Sequence, residues 1–141
     1  MKDSTNVLNP LNAIAPQSST TNAAIVSGII DRQGFESVMF LLHYGALFAG
    51  SSFAVTLEHG NDPALADTSA PAATDLIGTL ANAGGTQAGG LANSTRKIGY
   101  IGNKRYTRIT ITPSGNGATS FHGVSVVKGH PNIAPTPAIP A

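Results

Sequence analysis

A chain of 141 residues, 41% of them hydrophobic, is sized for one domain with a core of its own. Its formal charge of +1 excludes a nucleic-acid binder that works by neutralising many phosphates, and the lack of cysteine excludes a disulfide framework, a thiolate metal site and a cysteine nucleophile. Charged residues make up only 11% of the chain against about 25% in ordinary soluble domains, so much of the surface must be Ser, Thr, Asn, Gly and Ala, which suits a protein packed against other copies.

Residues 1–20 carry isolated Leu8, Leu11 and Ile14 among Asn, Ser and Thr, with Pro10 and Pro16 breaking any helix and no sustained alternation. They read as an extended arm. Two readings of it stand open, a floppy terminus or an arm that lays those apolar side chains on a neighbouring subunit. Its deletion is expected to leave the fold intact. The segment lacks the apolar core of a signal peptide, and no run in the chain approaches the ~18 residues of a membrane span. The expectation is a protein made and used in a cytoplasm, with no membrane partner.

From residue 21 the pattern changes. Ala23, Ala24, Ile25 and Val26, a break at Gly28, then Ile29 and Ile30 predict a first strand with an interruption or bulge. Residues 35–44 (FESVMFLLHY) predict a strand apolar on both faces, Val38, Phe40 and Leu42 on one and Met39 and Leu41 on the other. It is expected at the centre of the core, covered on both sides. Residues 52–59 alternate, with Phe53, Val55 and Leu57 inward and Thr56 and Glu58 outward, and read as a half-exposed strand paired antiparallel to the preceding one. Residues 61–94 hold Pro63, Pro71 and the pairs Gly84-Gly85 and Gly89-Gly90, and look the least ordered; a short strand or helical turn anchored by Leu76 and Ile77 is possible near residues 74–80, and the glycine-rich stretch reads as a flexible linker.

Residues 97–101 and 106–112 are β-rich and flank Gly102-Asn103, which predicts a hairpin; in its second arm Ile109 and Ile111 point inward and Arg108, Thr110 and Thr112 outward. After a turn at residues 113–117, residues 118–127 form the closing strand, and Pro131, Pro135, Pro137 and Pro140 make the rest an extended, polyproline-like tail. The fold expected is all-β: a single-domain β-sandwich or jelly-roll-like barrel over residues 21–128, between an arm at 1–20 and a Pro-rich tail at 129–141.

Nothing in the pattern arranges a catalytic set. His43, His59, His122 and His130 lack the spacing of a metal site, though pairing of the strands either side of residues 45–51 could bring His43 and His59 together. No G-x-S-x-G occurs, and the glycine-rich stretch lacks the Lys-Ser/Thr of a phosphate loop. The expectation is a non-enzyme with no metal and no cofactor. Tyr100 and Tyr106 flank the hairpin turn and could offer a ring platform to a sugar or base; edge-strand packing is the plainer reading. Acidic residues after the third strand, Asp62 and Asp67 among them, are opposite in sign to Lys104, Arg105 and Arg108 of the hairpin. They read either as solvated loop charges or as two patches that meet across a subunit boundary.

Three motifs in fixed order, DRQGFES at 31–37, GYIGNKRY at 99–106 and VVKGHP at 126–131, resemble small proteins encoded among the head genes of tailed bacteriophages. The resemblance implies a virion structural role, that of a decoration (cement) protein binding the major capsid protein on the outer surface of the expanded head, commonly as a homotrimer, after assembly in the host cytoplasm. It brings no catalytic residues. Leu8, Leu11, Ile14, Asp62, Asp67, Lys104, Arg105 and Arg108 are the expected capsid or subunit contacts. Rival readings are another virion component, such as a head fibre base or a tail tube or completion protein, and a carbohydrate-binding β-sandwich module.

Overall fold

Period-two alternation of apolar and polar residues recurs along the chain, as at residues 52–59 and 106–112, and belongs to pleated, half-buried strands. A computed structural model describes residues 4–134 and 136. Among them are ten strands: β1 (Asn9–Ser19), β2 (Ile25–Val26), β3 (Ile30–Asp31), β4 (Phe35–Tyr44), β5 (Ser52–Gly60), β6 (Leu76–Ile77), β7 (Gly85–Thr86), β8 (Ser94–Tyr100), β9 (Tyr106–Ser114) and β10 (Ser120–Pro131), with one short α-helix, α1 (Leu80–Ala83), and single 3-10 and π turns at Ala73–Asp75 and Gln87–Leu91. Sheet A has the order β1-β10-β4-β8-β6 and sheet B the order β2-β9-β5-β7, with β3 also on β9. The protein is a single-domain β-sandwich.

The pairings are nested. β1 pairs with β10, β2 and β3 with β9, β4 with β8, and β5 with β7, all antiparallel. The first half of the chain thus runs back along the second as one long ribbon. Folding that ribbon over itself brings β4 against β10 and β5 against β9, which closes the two sheets into a jelly roll.

The core lies between the sheets. Val38, Phe40 and Leu42 of β4, Ile98 and Tyr100 of β8, and Val124 and Val126 of β10 face Phe53, Val55 and Leu57 of β5 and Ile109 and Ile111 of β9. The inward and outward residues expected for β5 and β9 are as observed. The first-strand expectation also holds: β2 and β3 both lie on β9, and between them Ser27 is buried, its hydroxyl accepting from the Ile109 N–H.

Several expectations are corrected. β4 and β5 do not pair but lie in opposite sheets, and so do β8 and β9, so neither connection is a hairpin. The reason is visible at residues 101–105, where neither Gly102 nor Asn103 takes the positive φ of a tight hairpin turn and the chain crosses the sandwich edge instead. β4 is central in sheet A and Phe40 is fully buried, but only one face is covered; Phe35, Met39 and Leu41 are half-buried on the other. The expected arm is β1, paired from Asn9↔Lys128 to Ser19↔Ser120 with irregularities around Ala13 and Pro16, and so part of the sandwich. Pro10 and Pro16 are tolerated because β1 is an edge strand, where a missing N–H leaves no ladder bond unmade on the solvent side. β10 continues to Pro131, past the boundary expected at residue 128; the tail's Pro135, Pro137 and Pro140 lie outside the described residues.

The glycine-rich stretch is not a linker either. Gly84 sits where a Cβ would lie 2.2 Å from the Phe53 carbonyl oxygen, and the Tyr44 hydroxyl donates to the adjacent Ala83 carbonyl at 3.1 Å. Gly84→Ala must push α1 and β7 off β5, and is expected to cost about 2–3 kcal/mol. Gly28→Ala, with open space around it, should change stability by less than about 0.5 kcal/mol. Urea unfolding of both variants checks this, and equal midpoints would mean that the α1–β7 segment yields freely.

At the other end of the sandwich the buried Asn116 closes a clasp. Its side-chain amide donates to the Ser19 and Thr21 carbonyls and to the Ser19 hydroxyl, while its Oδ1 accepts from Ser120 Oγ at 2.7 Å. The end of β1 is thereby tied to the β9–β10 turn.

Candidate functional site

The charged residues expected as contacts are largely engaged within their own chain. Arg105 forms a bidentate ion pair with Asp31, at 2.9 and 2.7 Å, and also donates to Gln33. That guanidinium holds the Asp31 carboxyl below its usual range. Arg108 of β9 pairs across the strands with Glu58 of β5 at 2.7 Å. Asp67 accepts from the Asn61 and Asp62 N–H groups, which lower its pKa, and Asp62 accepts from the Ala64 N–H. The acidic loop is therefore folded by its own carboxylates, which act as turn formers. Lys104 lies at the corner between β8 and β9, its N–H donating to the Tyr100 hydroxyl at 3.1 Å. Acidic and basic segments also meet inside one chain, through Arg105 N–H and the Asn61 side chain.

Of the apolar contacts expected in the N-terminal segment, Ile14 is buried in the core and Leu11 packs on it, while Leu8 is 39% exposed beside Gly129. Tyr100 is fully buried and Tyr106 nearly so, which leaves no ring platform there for the sugar or base weighed as an alternative and agrees with the plainer reading that these rings pack within the strands. The Tyr100 ring is boxed in at the corner: a Cβ on Gly102 would lie 2.6 Å from its hydroxyl, and Arg32 stacks over its face at 5.6 Å. Only glycine lets the chain turn this tightly over the ring.

The histidines are dispersed. His43 is exposed on sheet A, whereas His59 is buried in sheet B with Nδ1 2.9 Å from the Tyr100 hydroxyl, so the two are not brought together. Among the described residues no group of three His, Asp or Glu is placed to hold a metal ion. His122 is buried beside Phe53, and neither ring nitrogen has a hydrogen-bond partner. Burial pushes both His59 and His122 below the ordinary 6.5; for His59, Asp75 opposes the effect and Lys104 adds to it, and for His122 the Ser120 backbone opposes it.

A pH dependence follows. The folded chain binds fewer protons than the unfolded one, so the histidine contribution is fully present above about 6.5 and is lost as pH falls through that value towards the folded pKa values. Asp31 and Asp67, both lowered, lose their contribution only as pH falls through the ordinary 3.8, a separate window. The unfolding temperature should therefore drop between about pH 7.5 and 5. His122→Leu should reduce that drop and leave stability at neutral pH unchanged or raised, since it removes two unpaired buried nitrogens. A pH profile that superimposes on the wild type would assign the acid loss to other groups.

The two outer faces differ in kind. Sheet B presents Ala54, Thr56, Thr110 and Thr112 with the Glu58–Arg108 pair, a surface suited to water. Sheet A presents Met39, Leu41 and Val127, with Ile77 exposed at 61% and Ile101 at 49% near one border. Two concavities of about 480 and 690 Å³ lie on it and share Glu36, Ser37, Met39 and His130. His130 is held at φ 54°, a conformation rare for a side-chain-bearing residue, with Nδ1 2.8 Å from Ser37 Oγ. This face was missed by the expected contacts, which fell on apolar residues of the N-terminal segment and on charged residues of the acidic loop and the 104–108 stretch. Its signal was the second apolar face of residues 35–44.

No protein-family model matches the sequence, and no curated protein matches it. Among solved structures the chain is similar to one of infectious bursal disease virus, Gx strain, at 13% identity and a TM-score of 0.42, over 91% of this chain and 35% of that one. It is also similar to a family two carbohydrate esterase from Cellvibrio japonicus, at 11% identity and a TM-score of 0.36, over 94% of this chain and 36% of that one. A third is the infectious bursal disease virus VP2 subviral particle, at 14% identity and a TM-score of 0.31, over 89% of this chain and 41% of that one. The chain spans less than half the length of each of these proteins.

Proposed function

We propose that this protein is a structural component of a tailed-bacteriophage virion, a decoration protein that binds the major capsid protein on the outer surface of the expanded head and stabilises it against the pressure of packed DNA. A homotrimer at threefold positions would make several modest contacts at once, and effective concentration would make them strong together. The reading is supported by the ordered motifs at residues 31–37, 99–106 and 126–131 and by the scarcity of charge. The observation that carries it is the apolar, weakly charged outer face of sheet A on a small jelly roll, a surface that calls for a protein neighbour.

Co-sedimentation with expanded heads that lack the protein tests this, with unexpanded shells and isolated tails as controls. Saturable binding to expanded heads alone is the expected result. Binding to tails alone would transfer the protein to the tail tube or completion class, and binding to none of the three would overturn a virion role on the shell.

A further inference from the structure

Asparagine is chemically labile, above all before glycine, whose backbone nitrogen has no Cβ beside it to hinder attack on the asparagine side chain. The chain has one Asn-Gly pair, Asn116-Gly117, and its asparagine is the centre of the clasp. Asn116 is 3% exposed and its amide is held at both atoms. Nδ2 donates to the Ser19 carbonyl, the Ser19 hydroxyl and the Thr21 carbonyl, each at 3.2 Å, and Oδ1 accepts from Ser120 Oγ, which in turn accepts from the Phe48 N–H at 2.9 Å. Held so, Cγ cannot turn onto the Gly117 nitrogen. The acceptors on Nδ2 lie at the loosest part of β1 and just beyond it: past Ile14, residues 15–18 and 20–24 are exposed and Ser19 is half-buried. What holds this segment down is its pairing with β10, the clasp, and the bond from the Asn116 N–H to the Asn22 side chain at 2.8 Å. A segment with so few buried apolar contacts opens locally.

We propose that Asn116 is a deamidation site guarded by the clasp, and that its conversion turns the lifting of residues 15–21 from a transient opening into a permanent one. Once the segment lifts, the Gly117 nitrogen attacks Asn116 Cγ: the N–Cγ bond forms, the Cγ–Nδ2 bond breaks, and Nδ2 leaves as ammonia with the Gly117 amide proton. Water then opens the succinimide ring, at Cγ to give aspartate or at the main-chain carbonyl to give isoaspartate, so the sum is amide plus water to acid plus ammonia. Aspartate sets a carboxylate, which only accepts, against the Ser19 and Thr21 carbonyls, which also only accept, and isoaspartate adds a carbon to the main chain of the turn. Neither product can close the clasp again. The released segment bares the β10 edge at Ser120, Phe121 and His122, an open template for another strand. This inference does not rest on the proposed role in a virion.

The test incubates the full chain at mildly alkaline pH and digests samples with trypsin. Cleavage after Arg108 and Lys128 isolates residues 109–128, in which Asn116 is the one asparagine, so its conversion reads directly as a change in peptide mass. Conversion in the native chain is expected to be at least about tenfold slower than in the chain unfolded in urea, and to depend on urea far less steeply than global unfolding does, because lifting residues 15–21 exposes little surface. Gly117→Ala should slow conversion in both states. The converted chain should still unfold cooperatively, yet be cut by elastase within residues 20–24, where the unconverted chain resists. Asn116→Asp should show the same cleavage without incubation, and the converted wild-type chain carries the test if that variant does not fold. Equal rates in the native and unfolded chains overturn the guard. A native rate that follows the global unfolding equilibrium overturns the local lifting, and a converted chain still protected at residues 20–24 overturns the release.

Discussion

Removal of residues 1–20 should lower the urea midpoint well below that of the full chain. β1 is an outer strand of sheet A, yet Ile14 is buried in the core and Leu11 and Ala13 pack against it. Each fully buried aliphatic side chain contributes about 1.5–3 kcal/mol. The loss extends beyond β1, because without it β10 becomes the bare edge of the sheet, with Val124 and Val126 opened to water along one side. The Asn116 clasp also loses its Ser19 acceptors, leaving a buried amide short of partners. A loss of about 3 kcal/mol or more follows from these terms together. A midpoint matching the full chain would mean that β1 is a peripheral arm, as its sequence suggested.

Phe40→Ala should cost about 3–5 kcal/mol. Phe40 is 0% exposed on the central strand of sheet A, flanked by Val126 of β10 and Ile98 of β8, and its removal leaves a cavity between the two sheets. Met39→Ala is the control on the adjacent, outward position. It should cost less than about 1 kcal/mol in the monomer, while weakening any association through the same face. A small effect at Phe40 together with a large one at Met39 would invert the two faces of β4 and with them the sandwich.

Chain composition and local pattern were enough for the β-sandwich class, for the inward residues of β5 and β9, for the interruption at Gly28 and for the central position of residues 35–44, because side-chain alternation in a strand is a local property. The same logic could have found the sheet A face: Met39 and Leu41 are apolar on the side opposite Phe40, and a strand apolar on both sides needs two covers. The charges pointed elsewhere, since a count of Lys, Arg, Asp and Glu does not say which of them find partners at home. Asp31 with Arg105 and Glu58 with Arg108 join residues far apart in the chain, and Asp62 and Asp67 fold their own loop.

Strand partners belong to the tertiary structure. Period two tells which face a residue occupies but carries no information on which strand lies beside it, and short connections at residues 45–51 and 101–105 suit either a hairpin or a crossing between sheets. The nested ribbon, with Asn9 against Lys128 and Ser52 against Thr86, decides between them only when the whole chain closes on itself. Side-chain chemistry along the chain thus determined the layers and what each layer turns inward. The pairing and the burial of β1 came from long-range closure, because backbone hydrogen bonds between strands are alike for every sequence and only packing of the complete core selects among registers.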